Sequence, residues 1–338
     1  MGFFDWIFGG RDLAAGNAGL MRAVDRVLHG IDPRLKLLRG ARDRLAPAVQ
    51  DALAFARETI GQMPPSVALT PENWAHDPLL RATFARPDDI DEALAASREV
   101  RHFIDSGALS GGDTLFGVLA ATRVERSVLG SALDGGGMLR RDVLRKTVSF
   151  GDFRVAGLAP AEAATRRALE DFVLEQLALA AMREIADNRK QVEHLESYRQ
   201  LLLTRLRLME QSGAGLDPLF ARADGDAPDL ARLRRELALN AEQLAATRAG
   251  GAGLEGALER VLAALRNAEA IIRPQRLSLN LDAMNIVVPP QAAGAPIELL
   301  EFSTVDPERP RRVAFLVSFP RGAVHERHVD LEALRRSL

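Results

Sequence analysis

The sequence predicts a predominantly helical α+β protein: a small, mainly antiparallel sheet, an N-terminal helical region and an inserted antiparallel coiled-coil hairpin. The first supporting observation is a heptad pattern of apolar residues through 160–212, where no glycine occurs and the only proline is the first residue. The second is strand-like alternation on both sides of that segment, at 114–156 and 276–320. Because a hairpin returns the chain to the place where it left, both sets of strands can join one sheet.

Composition narrows the class of protein. A chain of 338 residues, 47% hydrophobic and 27% charged, is typical of a globular protein with about two or three domains. Its 44 basic and 46 acidic residues argue against a protein that coats nucleic acid. The absence of cysteine excludes disulfides, thiol catalysis and cysteine-ligated metal sites. Only three basic residues are lysines, which indicates coding bias in a GC-rich, bacterial genome.

The N-terminal ten residues form a candidate docking segment. Its apolar side chains are Phe3, Phe4, Trp6, Ile7 and Phe8. Such a segment docks on the protein's own body, binds a partner, or inserts shallowly at a membrane surface. The basic stretch 34–44 adds slightly to the third interpretation, but a solvated helix face explains that stretch better. The segment lacks the features of a secretory signal, and no stretch approaches about 18 apolar residues. We therefore predict a cytoplasmic protein, with a peripheral position at the inner membrane left open.

Several helices are predicted before the first strands. Apolar spacing indicates helices over 18–63, with Pro33 opening the second helix and Pro47 kinking or breaking it. Thr70 is the expected N-cap of a further helix. A helix is also predicted over 87–105, where acidic residues in the first turn complement the helix dipole.

Alternating apolar residues predict the strands. The predicted strands are 115–129, 144–150, 277–283, 297–304 and 311–319, although residues 114–122 alone fit a buried helix equally well. The glycine-rich segment 134–137 is the expected turn of a hairpin between the first two strands. A change of parity at Met284 indicates a bulge or a strand break. A short helix is expected over 329–337.

The coiled-coil arm is predicted from its apolar seam. The seam residues are Ile185, Val192, Leu195, Leu202, Leu206, Met209, Leu233, Leu237 and Leu244. The outgoing helix over 160–212 is about 80 Å long. It is expected to return through helices over 228–248 and 254–273, the second ended by Pro274. Asn188 and Arg199 interrupt the seam, where they fix register or partner number, or face the remaining domain or water.

No catalytic, cofactor-binding or metal-ligating residues are predicted. No lysine follows a glycine as a phosphate-binding loop requires, and the nucleophile-elbow and dinucleotide fingerprints do not occur. His325 and His328 are three residues apart, which is not metalloprotease spacing, so they are surface histidines or a weak divalent site. The arm helix 160–212 carries nine acidic and eight basic residues. This balance makes nucleic acid an unfavourable partner.

The expected function is that of a non-catalytic scaffold or adaptor for protein–protein interaction. The predicted parts are the docking segment 1–10, a helical region 11–110, an α+β domain of 111–158 with 274–338, and the coiled-coil arm 159–273. The partner protein is not identified, and a homo-oligomer remains open. One alternative is a peripheral membrane protein anchored by its N-terminus. The other is an enzyme of unfamiliar type, which requires a pocket of titratable groups with perturbed pKa values.

Overall fold

Helices and a largely antiparallel sheet make up the described part of the chain, an α+β fold. The computed structural model describes residues 17–105, 113–133, 139–212, 227–249, 253–304 and 311–322. The helices are α1 (Asn17–Ile31), a 3-10 helix (Pro33–Leu37), α2 (Ala41–Gly61), α3 (Pro71–Trp74), α4 (Pro78–Thr83), α5 (Asp88–Ala96), α6 (Arg98–Asp105), α7 (Glu162–Ser212), α8 (Ala227–Ala249), α9 (Gly253–Arg266) and α10 (Ala268–Ile271). The strands are β1 (Val67–Ala68), β2 (Thr114–Leu133), β3 (Leu139–Ala159), β4 (Ile272–Leu281), β5 (Ala295–Thr304) and β6 (Arg312–Pro320).

The sheet is a curled antiparallel half-barrel with the strand order β3-β2-β6-β5-β4. Strand β6 pairs along its whole length with 114–122 of β2. On its other side β6 meets β5 only at 300–302, and the short parallel strand β1 takes up the position next to 317–318. The two sets of strands predicted on either side of the helical segment therefore do join one sheet.

The chain divides into two compact units. The first holds the described residues of 53–173 and 268–338, which include the whole sheet, and the second those of 12–52 and 174–267. Helices α2 and α7 each run from one unit into the other. The four-part division expected from the sequence stays a prediction.

The core of the first unit lies against β6. Val313, Phe315, Val317 and Phe319 alternate along this strand and are all buried, as the sequence pattern predicts. Ala314 and Leu316, on the other face of β6, are buried as well. Burial on both faces explains why the sequence of β6 is almost continuously apolar.

A set of charged hydrogen bonds joins the first turn of α7 to the end of α2 within the first unit. The Arg166 guanidinium donates to the carbonyl oxygens of Ile60 at 2.9 Å, Met63 at 3.3 Å and Pro64 at 3.3 Å. Glu162 accepts a bond from Arg166 at 2.9 Å. Arg166 thus ties the start of α7 to the backbone at and just beyond the end of α2.

The predicted start of α3 is confirmed, whereas the helix predicted over 87–105 is two helices. The Thr70 hydroxyl accepts a hydrogen bond from the Asn73 amide at 3.2 Å, as an N-cap does. At Ser97 the backbone is extended, and the serine hydroxyl accepts from the Val100 amide at 3.4 Å. Ser97 therefore ends α5 and caps α6, a role that serine favours over a helix interior.

The three proline predictions were only partly correct. Pro33 opens a 3-10 helix rather than an α-helix. Pro47 lies inside α2, which continues unbroken to Gly61 because one missing hydrogen bond near its start is outweighed by the buried residues that follow. Pro274 does not end the return helix: α10 ends at Ile271, and Pro274 lies within β4, the last strand of the sheet order. Proline is tolerated there because an edge strand has amide positions that need no ladder partner.

The parity change at Met284 is a strand break with a tight turn. Strand β4 ends at Leu281, and the carboxylate of Asp282 accepts from the amides of Met284 and Ile286, both at 2.9 Å. Asn285 has a φ of 56°, a left-handed conformation that asparagine tolerates. The predicted turn at 134–137 and the predicted helix at 329–337 lie outside the described residues.

Candidate interaction surfaces

The predicted seam residues lie on α7 and α8 in the second unit and differ in burial. Leu195, Leu202, Leu233 and Leu244 are buried. The others are partly buried: Ile185, Val192, Leu206, Met209 and Leu237. The apolar stripe of each helix therefore faces protein rather than water along most of its length.

Specific polar contacts join α7 to α8. Arg234 bonds to Glu210 at 3.3 Å, Arg248 bonds to Glu196, and the Asn240 side-chain amide donates to the Leu195 carbonyl at 3.1 Å. The two ion pairs run in opposite order along the helices: the partner on α8 rises from 234 to 248 as the partner on α7 falls from 210 to 196. Both ion pairs are exposed, so each contributes at most about 1 kcal/mol, and the buried leucines supply most of the stability of this contact.

Asn240 is the polar residue of this contact that the sequence analysis missed. Its side chain is only 2% exposed, and its Oδ1 atom has no hydrogen-bond partner among the described residues. The two polar interruptions that were predicted behave differently, since Asn188 is partly buried and Arg199 is exposed. Asn240 occupies a helical spacing with Leu233, Leu237 and Leu244, and that spacing was the available signal.

A second set of apolar side chains on the same two helices is exposed. Tyr198, Leu201 and Leu208 on α7 and Leu239 on α8 belong to this set. Leu201 is 63% exposed and Leu239 is 58% exposed. The sequence analysis assigned a single seam to these helices and did not single out these residues, although the run Leu201-Leu202-Leu203 places apolar side chains on two sides of α7.

A shallow cleft of about 200 Å³ lies between α7 and α9 in the second unit. Its lining includes Asn188, Arg189, Glu193 and Arg260. Ligand pockets for ordinary small molecules are about 300–1,000 Å³. We therefore assign no ligand to this cleft.

Asp32 forms an ion pair with Arg189, one of the residues that line this cleft. It caps the 3-10 helix and accepts three hydrogen bonds from the Arg34 guanidinium and one from the Arg34 amide. These bonds lower the pKa of Asp32 to about 2, despite partial burial, which by itself raises it. Arg189 of α7 lies 3.7 Å from the same carboxylate and acts in the same direction. The ionised form of Asp32 therefore stabilises the folded second unit.

This shift predicts a pH dependence of stability. A carboxylate whose folded pKa is lower than its unfolded pKa contributes stability above the unfolded value, here 3.8, and loses it as the pH falls towards about 2. The wild-type melting temperature should therefore fall between these pH values by more than that of Asp32→Asn. Thermal unfolding followed by circular dichroism across this range measures the difference, and parallel curves for the two proteins would contradict the prediction.

The β2–β3 hairpin extends beyond the sheet as a two-stranded ribbon in the first unit. Strand β2 pairs with β6 only as far as Thr122 but remains paired with β3 as far as Leu133. In this ribbon Leu129 lies directly opposite Leu144, and the two side chains are 69% and 71% exposed. The ribbon thus presents an exposed apolar pair that is separate from the set on α7 and α8.

A buried ion pair lies at the base of the ribbon. The Arg123 Nε donates to one oxygen of Glu301 at 2.9 Å, the Nη2 lies 2.8 Å from the same oxygen, and the guanidinium also bonds to Glu125. Burial alone lowers the pKa of Arg123, but its bonds to Glu301 and Glu125 outweigh burial and raise the pKa above the ordinary value. Because β2 and β5 are not adjacent in the sheet, this pair connects two strands across β6.

The remaining predicted residues are not described by the structure. The docking segment Phe3, Phe4, Trp6, Ile7 and Phe8, and the histidines His325 and His328, lie outside the described residues. Within the described ranges, no group of three or more acidic or histidine side chains could hold a metal ion. None of the helices in the described part of the chain has the length and apolarity needed to cross a bilayer.

Comparisons with protein-family models, with curated proteins and with solved structures found no match for this chain.

Proposed function

We propose that the protein is a non-catalytic scaffold or adaptor in which α7 and α8 form an antiparallel coiled-coil hairpin. The opposite order of the contacts supports this geometry: Glu210 meets Arg234 near one end, and Glu196 meets Arg248 near the other. Buried leucines between these ion pairs supply the seam. Helix α9 continues the return, since its residues Leu258, Val261 and Leu262 are buried.

One observation carries the interaction function. Leu195 and Leu202 are buried, yet Leu201 and Leu239 on the same two helices remain exposed. An internal seam does not need these additional apolar side chains. Exposed apolar groups gathered on regular helices are typical of surfaces that bind another protein.

The proposed location is the cytoplasm, with a peripheral position at the inner membrane as the alternative. The membrane alternative stays a prediction, as it depends on Phe3, Trp6 and their neighbours. The enzyme alternative also stays a prediction.

The hairpin is tested with paired cysteines, because the chain has none of its own. Glu196→Cys with Arg248→Cys should form a disulfide within one chain under mild oxidation faster than a pair placed farther apart, since the bond between the two native side chains makes positions 196 and 248 neighbours. Gln200→Cys with Arg248→Cys is the matched control, because position 200 lies one turn further along α7. Faster mobility of the oxidised first pair on a denaturing gel supports the hairpin, and equal behaviour of both pairs contradicts it.

The adaptor function is tested by affinity capture from the native host with quantitative mass spectrometry. The wild type should enrich a different protein at a near-stoichiometric level. Variants of the two exposed surfaces, Leu201→Arg with Leu239→Arg and Leu129→Arg with Leu144→Arg, identify which surface binds it. Recovery of no protein other than this chain itself would contradict the adaptor function.

A further inference from the structure

The exposed apolar side chains of α7 and α8 lie on one side of the proposed hairpin, and the ion pairs lie on the other. Successive helical residues are about 100° apart. On α7, Leu201 is therefore about 120° from Leu195 in one sense, and Glu196 is about 100° from Leu195 in the opposite sense. On α8, Leu239 is about 100° from Asn240 in one sense, and Arg248 is about 80° away in the other. In an antiparallel pair, side chains rotated in the same sense away from the seam lie on the same side of the hairpin. This follows because viewing one helix from its opposite end reverses the sense of rotation.

This side of the hairpin, defined by Tyr198, Leu201, Arg205, Glu236 and Leu239, is called the apolar flank below. The contacts between the helices also fix which of its residues are level with each other. Glu210 lies beside Arg234, and Asn240 beside Leu195. Interpolating between these contacts puts Leu201 level with Leu239, and Arg205 level with Glu236, to within about one turn.

We propose that the apolar flank binds the same flank of a second copy of this chain, so that two hairpins form a four-helix bundle. The inference rests on the hairpin of the proposed function. A two-fold axis parallel to the helices places α7 of each copy against α8 of the other, with neighbouring helices antiparallel. In that arrangement Leu201 packs against Leu239 of the second copy, and Arg205 faces its Glu236.

Charge favours a second copy as the occupant. Arg205 is exposed and makes no hydrogen bond or ion pair with any described residue, so its charge is available. Glu236 is bonded to Arg232 at 3.1 Å through one oxygen, which leaves its other oxygen to accept another donor. The flank therefore carries both signs of charge at the positions that the two-fold axis brings together.

The test is the mass of the purified full-length chain, measured by light scattering over a wide range of concentration. The wild type should reach the mass of a dimer. Leu201→Arg and Leu239→Arg should each raise the dissociation constant on the order of a hundredfold, because each places a charge at the centre of the interface. Leu129→Arg is the matched control: it changes a comparably exposed leucine in the other unit and should leave the wild-type mass unchanged.

Charge reversal tests the predicted pairing directly. Arg205→Glu and Glu236→Arg should each weaken the dimer, and the double variant should restore it, since the two residues meet across the two-fold axis. Circular dichroism establishes that each variant retains its helices. A double variant no tighter than either single variant would overturn the pairing on which the proposal depends.

Other outcomes would also overturn the proposal. A monomer at every concentration, or a dimer unaffected by Leu201→Arg and Leu239→Arg, excludes the flank as the interface. A monomer that dimerises only after deletion of residues 1–10 assigns the flank to the chain's own N-terminal segment. The disulfide between positions 196 and 248 reports on the hairpin alone, so its formation in a monomeric protein means that the dimer fails while the proposed hairpin stands.

Discussion

Replacing Arg123 with methionine should lower the free energy of unfolding of the first unit by about 3–5 kcal/mol, the cost of breaking a buried ion pair by removing one partner. The variant leaves the buried carboxylate of Glu301 with Arg311, at 3.8 Å and largely exposed, as its remaining cationic neighbour among the described residues. Urea denaturation at neutral pH measures the loss.

The double variant Arg123→Met with Glu301→Leu separates the cost of an unpaired charge from the intrinsic value of the pair. Apolar side chains of similar size often replace a buried ion pair at little cost, so the double variant should recover most of the lost stability. Arg126→Met on the exposed part of the ribbon is the control and should change stability by less than about 0.5 kcal/mol. A double variant as unstable as Arg123→Met would mean that the pair itself stabilises the sheet.

This ion pair also shows where sequence reasoning stops. Strands β2, β5 and β6 were each predicted, because alternation of apolar residues is a local property of the chain. The meeting of Arg123 with Glu301 depends on how β2 and β5 align on either side of β6, and the two residues are 178 positions apart. No local pattern encodes that alignment, so neither residue was predicted to be special.

Helices α7 and α8 show the same limit of prediction from local sequence patterns. The heptad seam of α7 was predicted because its period is intrinsic to the helix, and the helix boundaries agree with the prediction to within two residues. The apolar flank was missed because Leu201 and Leu239 resemble seam residues in type, and only burial distinguishes them. Pro274 was wrongly predicted to end a helix. A proline is tolerated within β4 because that strand lies at the edge of the sheet, and the local sequence does not show the position of a strand in the sheet.

Replacing Asn240 with leucine should raise the stability of the second unit by about 1–3 kcal/mol, the cost of leaving a buried polar group without a partner. The Oδ1 atom of Asn240 is buried without a hydrogen bond among the described residues. The bond from its Nδ2 to Leu195 can be lost at little cost, because a carbonyl inside a helix also accepts the intrahelical bond. Thermal and urea unfolding of Asn240→Leu against the wild type measure the gain.

The same substitution should loosen the register of the hairpin, because a polar residue in an apolar seam favours the one alignment that satisfies it. The expected result is less selective disulfide formation: in the Asn240→Leu background, cysteines at 200 and 248 should cross-link more, relative to cysteines at 196 and 248, than they do in the native background. Asn188→Leu is the matched control, since Asn188 is only partly buried. If Asn240→Leu were less stable than the wild type, the asparagine would be stabilising the contact through both ends of its amide, and its role in the seam would be support rather than selection of register.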